Sequence, residues 1–197
     1  MAVDHDRLFN HDAQLEVISL YQLAGEKIES GHPPFRHPHH SASSVSLIGG
    51  GTHPKPGEVS LAHRGVLFLD EMAEFAKKTL DMLRQPLETG KVTISRISST
   101  VTYPADFILL GAMNPCPCGY LGSRTRYCTC SAKQIQAYRN HVSGPIYDRM
   151  DVLLPLEVID FSTETRVSES SETIRKKVEE VRRKQNERCF SSRLSNS

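Results

Sequence analysis

Apolar and polar positions follow two different periods along this chain, and the changes of period mark its elements. Leu15, Ile18, Leu23 and Ile28 recur broadly at helical spacing and predict a first helix over Ala13–Ser30. The Pro-, His-, Gly- and Ser-rich stretch Gly31–Gly57 carries no such period and predicts mostly loop. Two apolar runs of strand length, Val66–Leu69 and Phe107–Leu110, predict neighbouring strands of a parallel sheet covered on both faces. Between them, Phe75–Leu87 reads as an amphipathic helix. Leu80, Leu83 and Leu87 take one side, Lys77, Asp81 and Arg84 largely the other, and Pro86 is expected to end it. Lys91–Tyr103 alternates, with Val92 and Ile94, then Val101 and Tyr103, about a polar turn near Ser98-Ser99; this predicts a β-hairpin. Ala132–Val142 predicts a short helix and Ser170–Arg188 a longer, charged one. No internal repeat is evident.

The apolar runs matter for how they end. Gly65-Val66-Leu67-Phe68-Leu69 runs into Asp70-Glu71, two carboxylates that suit neither a strand nor burial. A strand delivering Asp then Glu at its C-terminal end matches the Walker B element of a nucleoside triphosphatase. There the Asp holds the magnesium of MgATP and the Glu polarises the attacking water. A helix start would also accommodate both acids. The second run ends at Met113-Asn114, and in a parallel sheet its end opens on the same edge as Asp70. An amide there can hold the water or the γ-phosphate, the role called sensor 1; an Asn-Pro turn is the plain alternative.

A third signal is Gly144-Pro145-Ile146-Tyr147-Asp148-Arg149-Met150-Asp151, followed by the apolar segment Val152–Leu156. An Arg between acids is most often a surface ion pair of little weight. In a ring of ATPase subunits, Arg149 would instead reach the neighbour's site and stabilise charge on the transferring phosphoryl group. Composition changes this picture little. The 197 residues suit one domain, 38% hydrophobic content can build a core, and a formal charge of +1 argues against binding nucleic acid by bulk electrostatics alone. The N-terminus resembles no signal peptide, no apolar run approaches spanning length, and a cytoplasmic location is expected.

Cys116-x-Cys118 and Cys128-x-Cys130 form two pairs that a short loop with Gly119 and Gly122 can bring together. Four thiolates could bind zinc, although zinc knuckles usually space their pairs by two or more residues. Structural zinc and four free thiols are the two readings; disulfides do not suit a cytosolic chain. Cys189 stands apart. His37, His39 and His40 could also suggest a metal, but without an acid in the string a packing and turn element is expected.

Taken together, these residues resemble the magnesium-chelatase-like AAA+ ATPases, in their ComM/YifB branch. The likeness is carried by Pro34–Ser41, Gly49–Gly51, Pro56–Glu71, Leu80–Glu88, Met113–Gly119 and Ser143–Asp151, and it reaches to about Glu187. It implies an α/β, parallel-sheet P-loop NTPase core with an insertion in its second helix and a β-hairpin before the sensor 1 strand. Residues 1–161 would hold that partial core, and 162–197 a linker and the start of a helical lid. ATP and Mg2+ are the implied cofactors. Asp70 would act through magnesium, Glu71 on water, Asn114 as sensor and Arg149 in trans within a ring, expected to be a hexamer. Such relatives resemble DNA motors that drive branch migration during recombination of incoming DNA. Lys55, Lys91 and Arg96 are candidate phosphate contacts, with solvated surface charge the plainer reading of each. The phosphate-binding string Gly-x-x-x-x-Gly-Lys-Ser/Thr does not occur in the sequence. The resemblance puts it upstream, and the sensor 2 arginine beyond the C-terminus, so weak independent ATP binding is expected. Two alternatives stand beside the motor: an ATPase subunit of a metal-inserting chelatase, and an inactive remnant or interaction module.

Overall fold

A computed structural model of the chain describes residues 11–28, 32–52, 54–96, 100–123, 125–156 and 169–194. The chain divides into two units, His11–Pro155 and a second containing Leu156 onwards. In the first unit, helix α1 (His11–Ala24) is followed by strand β1 (Phe35–Arg36), helix α2 (Ser44–Ile48), and short strands β2 (Gly49–Gly50) and β3 (Lys55–Pro56). Helix α3 (Glu58–Leu61) leads into strand β4 (Val66–Leu69), then helices α4 (Lys77–Asp81) and α5 (Arg84–Thr89). The hairpin β5 (Lys91–Ser95) and β6 (Thr100–Pro104) precedes strand β7 (Ile108–Gly111), helix α6 (Ala132–Arg139) and helix α7 (Gly144–Tyr147).

The first helix is shorter than its pattern suggested and turns a different face inward. Val17, Leu20 and Tyr21 are buried, whereas Leu15 and Leu23 are exposed. Gly25 adopts a left-handed conformation (φ 81°) that ends the helix, as glycine does without a Cβ penalty. The expected end at Ser30 lies outside the described residues.

Three strands make the central parallel sheet, in the order β1-β4-β7. Phe35-Arg36 is thus a strand inside a stretch expected to be loop; two residues are too few to show a period. Leu67 and Leu69 point into the core, where they meet Phe75, Leu80, Leu83 and Ile146, all fully buried. The other face is not covered as expected. Phe35, Ile108 and Leu110 are more than half exposed, and Val66 and Phe68 are partly so. An apolar run reveals strand length, but not how many faces a neighbour covers.

The predicted helix over Phe75–Leu87 is broken into helices α4 and α5, and a 3-10 turn, Met72–Glu74, precedes it. Leu80, Leu83 and Leu87 do face inward. Pro86 does not end the segment; it occupies the first turn of α5, where a missing N–H leaves no helical bond unmade. Gly90, left-handed at φ 64°, ends it instead. The hairpin matches its alternation: Val92, Ile94 and Tyr103 are buried, and Ile94 pairs with Val101. The Tyr103 hydroxyl donates to the Pro54 carbonyl at 2.7 Å. The Ser98-Ser99 turn lies outside the described residues.

In the second unit, helix α8 (Ser171–Leu194) extends past the predicted Arg188. It carries i,i+4 pairs Glu172–Lys176 and Glu180–Lys184, the kind that support an exposed helix by a few tenths of a kcal/mol each. Among the described residues, no helix is long and apolar enough to cross a membrane.

Candidate functional site

The register of the parallel sheet builds the site. Leu69 lies opposite Gly111, so the chains leaving β4 and β7 emerge at one edge. They stay laced together beyond the strands: Ala112 N–H donates to the Leu69 carbonyl at 2.9 Å, and Met72 N–H to the Ala112 carbonyl at 2.8 Å. Asp70, Glu71 and Asn114 therefore leave the same sheet edge, and all three side chains are exposed. Glu71 is left-handed (φ 49°, ψ 43°), a conformation that costs a residue with a Cβ about 1 kcal/mol or more. The Asp70 carboxylate steadies it, Oδ1 accepting the Glu71 N–H at 2.8 Å. Close packing fixes this edge: a Cβ on Gly111 would sit 2.8 Å from Met72 Sδ.

A fourth residue joins the three expected ones. His40 Nδ1 lies 3.0 Å from Glu71 Oε2. Its ring stacks on His39 at 4.0 Å, while His37 packs on Phe68 at 4.8 Å. The histidine string is thus a packing element along β4, and among the described residues it belongs to no group of metal-ligating side chains. The sequence names His40 only within a packing and turn element, and its place beside Glu71 is not legible there because β1 falls in a stretch that reads as loop. Once β1 is a parallel neighbour of β4, whatever follows it must surface at the same edge.

Helix α6 and the segment after it back the site. Ser131 and Gln134 form a reciprocal capping box at its start. His141 Nδ1 donates to the Ala73 carbonyl at 2.6 Å, tying the helix end to the turn that follows Glu71. The Tyr138 hydroxyl is buried without a hydrogen-bond partner; the Asn114 N–H faces it but falls short of bonding geometry. Burial first, then the charges of Glu74 and Glu71, push the Tyr138 pKa above the ordinary phenol value.

Arg149 follows α7 and is occupied within its own chain. Nη1 donates to the Pro145 carbonyl at 2.8 Å and Nη2 to Glu88 Oε2 at 2.9 Å, and no hydrogen bond joins it to Asp70, Glu71 or Asn114. Lys55, Lys91 and Arg96 are exposed, with Lys55 Nζ 3.4 Å from the Ala24 carbonyl.

The two cysteine pairs meet. The sulfurs of Cys116 and Cys118 are 3.4 Å apart, those of Cys116 and Cys128 3.7 Å, and those of Cys118 and Cys128 3.6 Å. With Cys130 included, all four lie within 4.8 Å of one another. The Tyr120 N–H, directed at its sulfur, holds the Cys118 thiol down at about 6. The Cys130 N–H favours the Cys128 thiolate, yet burial and the neighbouring Cys118 and Cys116 sulfurs push Cys128 up to about 12.

Residues 8–164 match the family described as magnesium chelatase, subunit ChlI. The chain is 45% identical to the uncharacterized protein YifB of Escherichia coli over 173 residues, 86% of this chain and 34% of that protein. It is 49% identical to the competence protein ComM of Haemophilus influenzae over 160 residues, 79% of this chain and 31% of that protein. A shorter match, 34% over 70 residues, joins it to the magnesium-chelatase subunit ChlI of Bigelowiella natans, covering 36% of this chain and 19% of that subunit. The chain thus spans about a third of the length of its YifB and ComM relatives.

Proposed function

The chain belongs to the magnesium-chelatase-like family of AAA+ ATPases, with its ComM and YifB relatives, and from that membership we propose that its sheet edge works on MgATP. The observation that carries this reading is the Leu69–Gly111 register, which sends two carboxylates and an amide out of one edge.

The donor set suits magnesium and a phosphate. Asp70 spends Oδ1 on the Glu71 N–H and keeps its second oxygen for a hard cation, which prefers carboxylate and water oxygens. Magnesium bound there supplies charge neutralisation for the phosphoryl oxygens. Glu71 orients the attacking water and takes up its proton at the carboxylate. Asn114 hydrogen-bonds the water or the γ-phosphate through its amide. Arg149 acts on a neighbouring subunit's nucleotide in a ring of six. Its pairing with Glu88 is a partly exposed contact of about 0–1 kcal/mol, which a phosphate can displace.

In this reading the ring uses hydrolysis to remodel or move along DNA, in keeping with a relative named as a competence protein. Lys55, Lys91 and Arg96 are the phosphate contacts, and binding weakens with added salt. A chelatase subunit is the weaker reading, because the Bigelowiella natans ChlI subunit is 34% identical over 36% of the chain, against 49% over 79% for ComM.

The test combines this chain with a segment that supplies the Gly-x-x-x-x-Gly-Lys-Ser/Thr loop and measures Mg2+-dependent ATP hydrolysis with and without DNA. Expected is hydrolysis that DNA stimulates and Glu71→Gln removes while nucleotide binding persists. Stimulation by chelatase partner subunits instead of DNA would favour the second reading. No nucleotide binding in any combination would leave an inactive interaction module.

A further inference from the structure

We propose that Cys116, Cys118, Cys128 and Cys130 bind one zinc ion as a tetrathiolate, and that this ion staples residues 116–130 into a knuckle fixing the chain between Asn114 and helix α6. The sulfur spacing carries the first half. Zinc–sulfur bonds of about 2.3 Å in a tetrahedron separate the sulfurs by about 3.8 Å. The three resolved separations are 3.4, 3.6 and 3.7 Å, and the fourth sulfur lies within 4.8 Å of the others. A disulfide would bring two sulfurs to about 2.05 Å. A multinuclear iron–sulfur cluster would hold its thiolates wider apart than this group.

The surroundings are those of bound thiolates. Backbone N–H groups of Tyr120, Cys130 and Cys118 are directed at the sulfurs of Cys118, Cys128 and Cys130 in turn. Such donors beside ligating atoms orient a metal site and fix its charge. Apart from the sulfurs, the described loop is held by local turn hydrogen bonds, such as Ser123 N–H to the Tyr120 carbonyl at 3.0 Å, and by the Arg126–Tyr120 contact at its surface. Among the described residues between β7 and α6 there is no regular element, and from 117 to 131 none of them is buried. Tyr127 is 91% exposed. Gly119 and Gly122, at φ 79° and 82°, turn the backbone in open space. A segment without an apolar core gains most from a cross-link, and among its described residues from 116 to 131 Cys116 alone is fully buried.

The test uses the 197-residue chain and needs no nucleotide, so its outcome is independent of the ATPase reading. Elemental analysis after exhaustive dialysis should find about one zinc per chain. Cys128→Ser should lose most of it, and Cys189→Ser none. Cobalt replacing zinc should give the sulfur-to-metal charge transfer and visible bands of tetrahedral thiolate coordination. Should Cys128→Ser fail to fold, the cobalt spectrum of the unaltered chain still decides. On chelation, hydrogen exchange should rise across 116–130 and at Asn114, while strands β4 and β5 stay protected. Metal-free protein, iron in place of zinc, or paired disulfides would overturn the site. Zinc removal that leaves exchange at 116–130 unchanged would overturn the staple.

Discussion

His40 Nδ1 lies 3.0 Å from Glu71 Oε2 across the end of the parallel sheet, on segments that follow adjacent strands. Both side chains are partly exposed, so the pair contributes about 0–1 kcal/mol to folding. Its weight is local: the imidazole occupies one oxygen of the carboxylate proposed to handle water. His40→Ala should shift the urea midpoint little, yet change the rate constant of ATP hydrolysis at unchanged KM in the assembled enzyme. An unchanged rate constant with a raised KM would mean that His40 acts on substrate binding instead.

Gly65 lies where β4 begins, and its missing side chain lets β1 approach. A Cβ there would stand 1.9 Å from the Pro34 carbonyl oxygen, which itself accepts the Val66 N–H at 2.8 Å. Backbone on both sides leaves no rotamer through which to relax. Gly65→Ala should therefore destabilise by about 2 kcal/mol or more, the range of overpacked cores. Equilibrium urea unfolding measures it, and a loss below about 0.5 kcal/mol would show that β1 and β4 can part freely.

The hairpin, the two apolar strands and the charged last helix were legible in the sequence because their periods are long enough to read. Val92, Ile94, Val101 and Tyr103 state their face unambiguously. Asp70, Glu71 and Asn114 were legible as a set because each ends or follows an apolar run. The two-residue strand Phe35-Arg36 was not, and the place of His40 beside Glu71 was lost with it. Nor does a run such as Phe107–Leu110 disclose that β7 edges the described sheet, with Ile108 and Leu110 open to solvent. The left-handed Glu71 could not be foreseen, since glutamate has no preference for that conformation.

Tyr138 carries a hydroxyl that is buried yet unpartnered. A polar group in that state costs about 1–3 kcal/mol in lost hydration. Tyr138→Phe should leave stability unchanged or raise it, read as a higher urea midpoint. A clear loss would reveal a hydrogen bond to the Asn114 backbone that the present geometry does not complete.

Glu16 links α1 to the loop before β4. His63 Nδ1 accepts the Asp106 N–H at 3.0 Å, which leaves Nε2 to donate to Glu16 Oε2 at 3.0 Å. Arg64 Nε adds a second bond at 3.0 Å. His63 first, then Arg64, lowers the Glu16 pKa below its ordinary 4.5. A lowered folded-state value stabilises the fold above the unfolded pKa, and that contribution disappears as pH falls through the folded value. Glu16→Gln should thus lower the urea midpoint at about pH 7, with a difference that shrinks as pH falls below 4.5 and stays modest throughout because the carboxylate is largely solvated. A difference that does not change with pH, or none at all, would show that these bonds do not hold in solution.

The uncovered side of the three-stranded sheet has a practical consequence. Phe35, Ile108 and Leu110, with the partly covered Phe68 between them, present a greasy strip to water. Fluorescent dyes that seek such strips will brighten on the native chain itself, so a positive signal must not be mistaken for melting. The same stickiness sets a ceiling on how concentrated the pure protein can be kept.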